Sequence, residues 1–209
     1  MGSRLLIKAV TQTKHLTLKQ NKMQNARIFL TDYASYNNGT QFEFGHWVDL
    51  SDFSDASELM DYISEHFKQA DEKSPLDEFG STREEIMITD FEGFPKDFYS
   101  ESMGEDDFEN LYSFFEKCEA CPYDYEVIEA FANLGNYDIE DVDKFFDALE
   151  ESYQGEYSSD ADFAQELAEE LGYTNEKVFW PYTHIDWEWA ARDLMIDYYE
   201  SNGHYFRAI

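Results

Sequence analysis

The sequence predicts an α+β fold, arranged as an elongated, multi-module chain. Two periodicities indicate it: strand-like alternation occurs near the amino terminus, whereas the middle of the chain has the three-to-four-residue period of amphipathic helices. The 18 Phe, 15 Tyr and 4 Trp among 209 residues can anchor small cores despite the high charge. We therefore expect a small N-terminal β-β-α-β unit, a central helical unit and a C-terminal α+β unit.

The N-terminal module, residues 23–95, is predicted to open with two paired strands. Residues 26–32 have strand composition, and residues 40–50 alternate aromatic and polar side chains. Between them, Asn37-Asn38-Gly39 supplies the positive φ that a tight turn requires. A hairpin-like pair is expected.

A helix and a third strand complete this module. Ser54 is the predicted N-cap of the helix. A polar stretch at 69–82 ends the helix, and a strand is expected at 85–91. The helix has one apolar face of residues four apart, Leu59, Ile63 and Phe67.

The central module, residues 96–150, is predicted to be helical and strongly acidic. Gly135 is a predicted C-cap within it. Because burying an unpaired charge costs far more than solvating it, the acids between its apolar stripes are expected to face water. The stripes are Phe108, Leu111, Tyr112 and Phe115; Val127, Ile128, Phe131 and Leu134; and Val142, Phe145, Phe146 and Leu149.

The C-terminal module, residues 151–209, is predicted to begin with a capped helix. Ser159 and Asp162 have the spacing of a capping box, and Gly172 ends the helix. Residues 184–203 read as a second helix that is apolar around most of its circumference. Such a helix must be covered on several sides, either as a central core helix, which we favour, or at a subunit interface. A closing strand is expected at 204–207.

Charge is distributed very unevenly along the chain. No acidic residue precedes Asp32, and six of the 15 Lys and Arg lie at or before Arg27. Residues 28–209 therefore hold nine basic and 46 acidic residues, a net charge of −37. Residues 1–22 form a basic extension that we interpret as accessory to the folded chain, with a nucleic-acid-binding arm as the alternative.

No catalytic, cofactor or metal motif is found. The chain lacks G-x-S-x-G, the P-loop, G-x-G-x-x-G and H-E-x-x-H. Cys118 and Cys121 form a lone C-x-x-C, and a zinc site would need two more ligands nearby, whereas the five histidines are scattered. A redox pair is disfavoured because the acidic neighbours Glu116 and Glu119 would raise a thiol pKa instead of lowering it. No apolar run reaches the roughly 18 residues of a membrane span. We expect a protein that is not an enzyme, with no cofactor, no metal and no membrane partner.

Five long segments, taken together, resemble the ArdA family of antirestriction proteins. The resemblance implies a cytoplasmic, non-enzymatic homodimer, carried by mobile genetic elements, that does not itself bind nucleic acid. It also implies inhibition of type I restriction-modification enzymes by mimicry of B-form DNA at the DNA-binding surface of their methyltransferase and specificity core. The segments are ARIFLTDYASYNNG, FGHWVDL, FEGFPKDFYSESM, YQGEYSSDADFAQELAEELG and WPYTHIDWEWAARDLMIDYYESNGHYF.

The resemblance also indicates which residues bind the partner. The family's antirestriction motif corresponds to the region around 150–171, and part of the helix at 160–171 is implied in dimer contacts, with Phe163, Ala164 and Leu167 as candidates. The predicted mimic surface, including the acids just before this motif, comprises Glu140, Asp141, Asp143, Asp147, Glu150, Glu151, Glu156, Asp160, Asp162, Glu166, Glu169 and Glu170.

Two other functional classes remain open from the sequence alone. An acidic chaperone for a basic client would have the same composition and would bind many cations without a fixed stoichiometry. An enzyme with paired carboxylates would need one of them in an apolar pocket, and no residue in the sequence is singled out for that role.

Overall fold

The structure is a computed structural model that describes residues 25–173 and 184–209. Those residues form eight α-helices and two three-stranded antiparallel sheets, which confirms the α+β class. The chain divides into two compact units, Met1–Asp124 and Tyr125–Ile209. None of the helices in the described part is long and apolar enough to cross a membrane.

The N-terminal unit is built on a sheet of β1 (Arg27–Asp32), β2 (His46–Asp49) and β3 (Ile86–Glu92) in the order β2-β1-β3. Both neighbours run antiparallel to β1. The sheet buries Ile28 and Leu30 of the central strand, which lies in the segment predicted to be a strand from its composition. The predicted β-β-α-β order is confirmed.

The connection between β1 and β2 differs from the single extended segment expected at 40–50. Two short helices, α1 (Tyr33–Asn37) and α2 (Gln41–Phe44), precede β2. Gly39, at φ +73°, separates them. The carbonyl of Phe44 at the end of α2 accepts hydrogen bonds from two histidine rings. The bond from His66 joins segments 22 residues apart, and this tertiary contact favours the helical turn over local alternation.

Two longer helices complete the N-terminal unit. Helix α3 (Ala56–Lys73) buries Leu59, Ile63 and Phe67 as predicted, but its N-cap is Asp55, which accepts from the Glu58 N–H. The predicted cap, Ser54, instead donates from its backbone N–H and hydroxyl to the Glu58 carboxylate, at 2.7 and 2.8 Å.

Helix α4 (Glu105–Ala120) buries the four residues of its predicted stripe. The Tyr112 hydroxyl donates to the carbonyl of Leu50 at 2.8 Å, which links α4 to the short 3-10 turn at Leu50–Asp52.

The C-terminal unit places helices against a second small sheet. Its sheet has the order β4-β6-β5, with both pairs antiparallel. Phe145, Phe163, Tyr205 and Phe206 are among its fully buried side chains. The elements are α5 (Tyr125–Asn133), α6 (Val142–Ser152), β4 (Tyr153–Glu156), α7 (Asp160–Glu170), α8 (Trp187–Leu194), β5 (Tyr198–Ser201) and β6 (His204–Arg207).

The long apolar helix predicted at 184–203 is wrong. Helix α8 ends at Leu194, and β5 follows and pairs with β6 across the turn Asn202-Gly203. Both turn residues have positive φ, as a two-residue hairpin requires. In α8 only Ala191 is buried, so the central core helix that we favoured does not form there. The closing strand at 204–207 is confirmed.

The predicted division into 23–95, 96–150 and 151–209 is not tested by these observations and stays a prediction. The basic extension at 1–22 lies outside the described residues.

Candidate partner-binding surface

Helix α6 presents carboxylates on the face opposite its apolar stripe. Val142, Phe145, Phe146 and Leu149 are buried, as predicted. The stripe holds the helix against the core, and the acids between the stripe residues are consequently turned outward. Exposed carboxylates on or just before this helix are Glu140, Asp141, Asp143, Asp147, Glu150 and Glu151.

Helix α7 is fixed by a cap and by one aromatic ring. The Ser159 hydroxyl accepts a hydrogen bond from the Asp162 N–H at 3.1 Å, as the capping-box spacing predicted. The Phe163 ring is 1% exposed and packs with its centroid 4.7 Å from that of Tyr205 and 5.0 Å from that of Tyr157. The aromatic core therefore sets which face of α7 meets water.

An acidic groove lies along α7 and the end of β4. Its cavity volume is about 790 Å³. Burial raises the pKa of the Tyr157 hydroxyl, and the nearby carboxylates of Glu166 and Glu170 raise it further. That phenol donates to the Gln154 carbonyl at 3.2 Å. The groove is lined by Glu156, Tyr157, Ser158, Asp162, Gln165, Glu166 and Glu169.

Asp160 is oriented by a neutral donor. The Tyr205 hydroxyl donates to Asp160 Oδ1 at 2.7 Å. Burial of Tyr205 and then this hydrogen bond raise the pKa of the phenol. The bond fixes the position of one oxygen of an exposed carboxylate.

All twelve residues of the predicted mimic surface are exposed. The structure brings four of them, Glu156, Asp162, Glu166 and Glu169, together around the groove.

Basic residues are few in the C-terminal unit: its described part holds Lys144, Arg192 and Arg207 against twenty Asp and Glu. Lys144 pairs with Asp141, which raises the Lys144 pKa, and Arg207 lies 3.9 Å from Glu151. The surface is therefore strongly negative.

The three candidate dimer contacts differ in what they offer to a partner. Phe163 and Ala164 are 1% and 5% exposed within a single chain, so they have almost no free surface. Leu167 is half-buried. The two buried residues stabilise α7, which leaves Leu167 as the one that a second copy could contact.

Exposed apolar residues that were not chosen from the sequence lie in the same unit. Trp189 is 62% exposed and Ile196 is 77% exposed. The sequence did contain an indication of them, because 184–203 was predicted to be apolar around most of its circumference. A subunit interface was the less favoured of the two interpretations of that pattern. Leu171 and Tyr173 after α7 are also exposed.

The described residues contain no group of three or more His, Cys, Asp or Glu arranged to hold a metal ion. Cys121 is buried and Cys118 is half-buried. In the part of the chain that is described, the C-terminal unit therefore has a strongly acidic surface and no assembled metal site.

Comparison with protein families gives one relevant match. The family model described as antirestriction protein (ArdA) matches residues 28–207, most of the chain. Neither the curated proteins nor the solved structures give a match.

Proposed function

Since the chain belongs to the ArdA family of antirestriction proteins, we propose that it inhibits type I restriction-modification enzymes by occupying their DNA-binding groove as a mimic of B-form DNA. The target is the basic surface of the methyltransferase and specificity core. Inhibition in this mechanism needs no bond to be made or broken by the antirestriction protein.

The observation that carries this proposal is the outward placement of all twelve predicted carboxylates. Nine of the twelve lie on α6 or α7, which bury aromatic and aliphatic side chains on the opposite face, so these acids are held on ordered elements. A preorganised anionic surface loses little conformational entropy on binding. It attracts a groove lined with Lys and Arg in the way that phosphates do.

The amount of charge supports duplex mimicry. B-DNA carries one negative charge per ~1.7 Å of axis, so two copies of residues 28–209, each with a net charge of −37, correspond to roughly 37 base pairs, or about 125 Å. Binding would release counterions from both surfaces and weaken as salt rises. Base-edge readout cannot be imitated by carboxylates alone, so we expect enzymes with different recognition sequences to be inhibited.

We further propose that the protein acts as a homodimer in the cytoplasm, where its target enzymes meet DNA. Leu167 and the exposed apolar side chains of the C-terminal unit, Trp189 and Ile196, are the candidates for the dimer contact. Exposed apolar side chains mark protein interfaces where they form a patch, so these three residues are the ones to test by substitution.

Titration of the protein against a purified type I enzyme bound to labelled DNA tests the proposal. Displacement of DNA at low salt that weakens steadily as NaCl is raised is expected. Inhibition that does not depend on salt would contradict mimicry. A basic histone-like protein serves as the control client, because an acidic chaperone would bind it at least as tightly as it binds the enzyme.

A further inference from the structure

The loop between α3 and β3, residues 74–85, presents an apolar side chain at its tip. Phe79 is 86% exposed, the highest fraction among the large hydrophobic side chains of the described residues. Single apolar residues on a surface are common, so exposure alone is not evidence of a function. Phe79 differs from an ordinary exposed apolar residue because hydrogen bonds hold its loop in place.

The tip of the loop is fixed by Asp77. Its carboxylate accepts hydrogen bonds from the backbone N–H of Phe79 at 2.8 Å and of Ser81 at 3.1 Å. The Ser81 hydroxyl donates to the same carboxylate at 2.5 Å, and this bond is the main reason that the pKa of Asp77 is lowered. Gly80, at φ +82°, supplies the left-handed residue of the turn. The backbone on both sides of Phe79 is thereby defined.

The base of the loop is closed by Arg83, which is 6% exposed. Its Nη1 donates to Asp71 Oδ1 at 2.6 Å and to the Ser74 carbonyl at 3.0 Å. Its backbone N–H donates to Asp71 Oδ2 at 3.1 Å. The end of the loop is therefore tied to the end of α3, and the loop is restrained at its base as well as at its tip.

The charges around Phe79 define the partner surface that it fits. Arg83 is the only basic residue between 74 and 85, and it is buried. The exposed charged residues of the loop are all acidic: Asp77, Glu78, Glu84 and Glu85. A complementary surface would have an apolar pocket with Lys and Arg around its rim. Aromatic anchors surrounded by polar contacts are typical hot spots of protein interfaces.

We propose that Phe79 is an apolar anchor that inserts into a basic-rimmed pocket on the restriction-modification enzyme. The inference rests on the proposed function and adds a contact that a DNA phosphate backbone does not make. An ordered loop binds with a smaller entropy loss than a mobile one. Because burial of an apolar ring is not screened by salt, this contribution persists at ionic strengths where the carboxylate contribution fades.

The test compares Phe79→Ala with Phe42→Ala, a matched change at another exposed phenylalanine of the same unit, 78% exposed. Binding of each protein to a purified type I methyltransferase core is measured at low and at high salt. Phe79→Ala is expected to bind roughly tenfold more weakly at both salts. Phe79→Leu is expected to retain most of the affinity, and Phe42→Ala is expected to bind like the wild type.

Each other outcome overturns the inference in a recognisable way. If Phe79→Ala binds like the wild type, the anchor is wrong and the proposed function stands. If the wild type itself does not bind the methyltransferase core, both fail. Equal losses in Phe79→Ala and Phe42→Ala would show a general effect of surface apolarity, and a changed oligomeric state of Phe79→Ala alone would place the ring against a second copy. Phe79→Gln, checked by circular dichroism, replaces Phe79→Ala if the alanine variant does not fold.

Discussion

Arg83 and Asp32 form a buried ion pair, with Arg83 Nε 3.3 Å from Asp32 Oδ2 and both side chains 2% exposed. Asp32 ends β1 and caps α1, because its other oxygen accepts from the Ser35 N–H at 2.7 Å. The same guanidinium bonds to Asp71 on α3. One cation therefore joins the central strand, a helix cap and a long helix.

Replacing Arg83 by Met should strongly destabilise the protein. The change leaves Asp32 buried without its countercharge, so we expect the free energy of unfolding to fall by about 3–5 kcal/mol. Urea denaturation measures it. The matched control is Arg27→Met, since Arg27 pairs with Glu92 at the surface, and its loss should cost about 1 kcal/mol or less. Similar effects of the two substitutions would contradict the role assigned to the buried pair.

Tyr205 should make the stability of the protein depend on pH in the alkaline range. Its pKa is raised from 10.0 by burial and by the bond to Asp160. The contribution of Tyr205 to the free energy of unfolding is therefore fully present below the pKa of about 10 in the unfolded chain. It is lost as pH rises through the pKa of Tyr205 in the folded protein. Tyr205→Phe should lower the free energy of unfolding by about 1 kcal/mol at neutral pH.

The pH dependence separates this effect from a change in packing. The difference in unfolding free energy between the wild type and Tyr205→Phe should shrink above about pH 10. Tyr199→Phe, at a 43% exposed position, is the control and should be nearly neutral at pH 7. A wild-type advantage that stays constant through the alkaline range would contradict the assignment.

His66 should contribute an acid-dependent loss of stability. Its pKa is lowered from 6.5, first by burial and then by His46, whose ring centroid lies 4.5 Å away. Phe44 and Asp32 raise this pKa and Lys73 lowers it, each by less than burial does. The contribution of His66 to the free energy of unfolding is therefore present above the pKa of about 6.5 in the unfolded chain. It is lost as pH falls through the pKa of His66 in the folded protein.

The substitution His66→Gln removes the imidazole ring whose protonation favours the unfolded state. The unfolding free energy of the variant should therefore decline less than that of the wild type between pH 7 and pH 5. Urea denaturation at several pH values checks this, and comparing the two proteins cancels the titration of the many carboxylates. Parallel curves for the two proteins would show that His66 does not sense pH.

An element could be predicted from the sequence where the order of its own residues is compatible with only one type of secondary structure. The face of α3 was predicted because Leu59, Ile63 and Phe67 repeat at a period that only a helix brings together. The prediction of a helix at 184–203 was wrong because a segment with apolar residues on all sides is compatible with a helix and with a strand equally well. The one local signal for the hairpin was Asn202-Gly203, whose positive φ angles permit the tight turn.

The same distinction applies to the candidate surface. Exposure of its carboxylates was predictable, since the solvation of charge decides it residue by residue. Their grouping around the groove was not, because it depends on how Glu156 at the end of β4 lies against α7, a tertiary relationship. The burial of Phe163 likewise follows from its packing on Tyr157 and Tyr205, residues of other segments.

Neutralising the groove should weaken inhibition gradually. Glu166→Gln alone is expected to reduce DNA displacement by less than about fivefold, the scale of one exposed charge pair. Further changes at Glu156, Asp162 and Glu169 should multiply that loss. The salt dependence of binding should also become shallower with each charge removed, because fewer counterions are released. Displacement assays on a type I enzyme–DNA complex at several NaCl concentrations measure both quantities.

A control with the same change in net charge tests whether position matters. Asp61→Asn with Glu65→Gln removes two exposed charges from α3, and it is compared with Asp162→Asn and Glu166→Gln in the groove. A larger loss for the groove pair is expected if the enzyme contacts α7 directly, because close charge pairs contribute more than distant ones. Equal losses would mean that total charge alone determines inhibition. Abolition of inhibition by Glu166→Gln alone, in a folded protein, would contradict mimicry by a distributed surface.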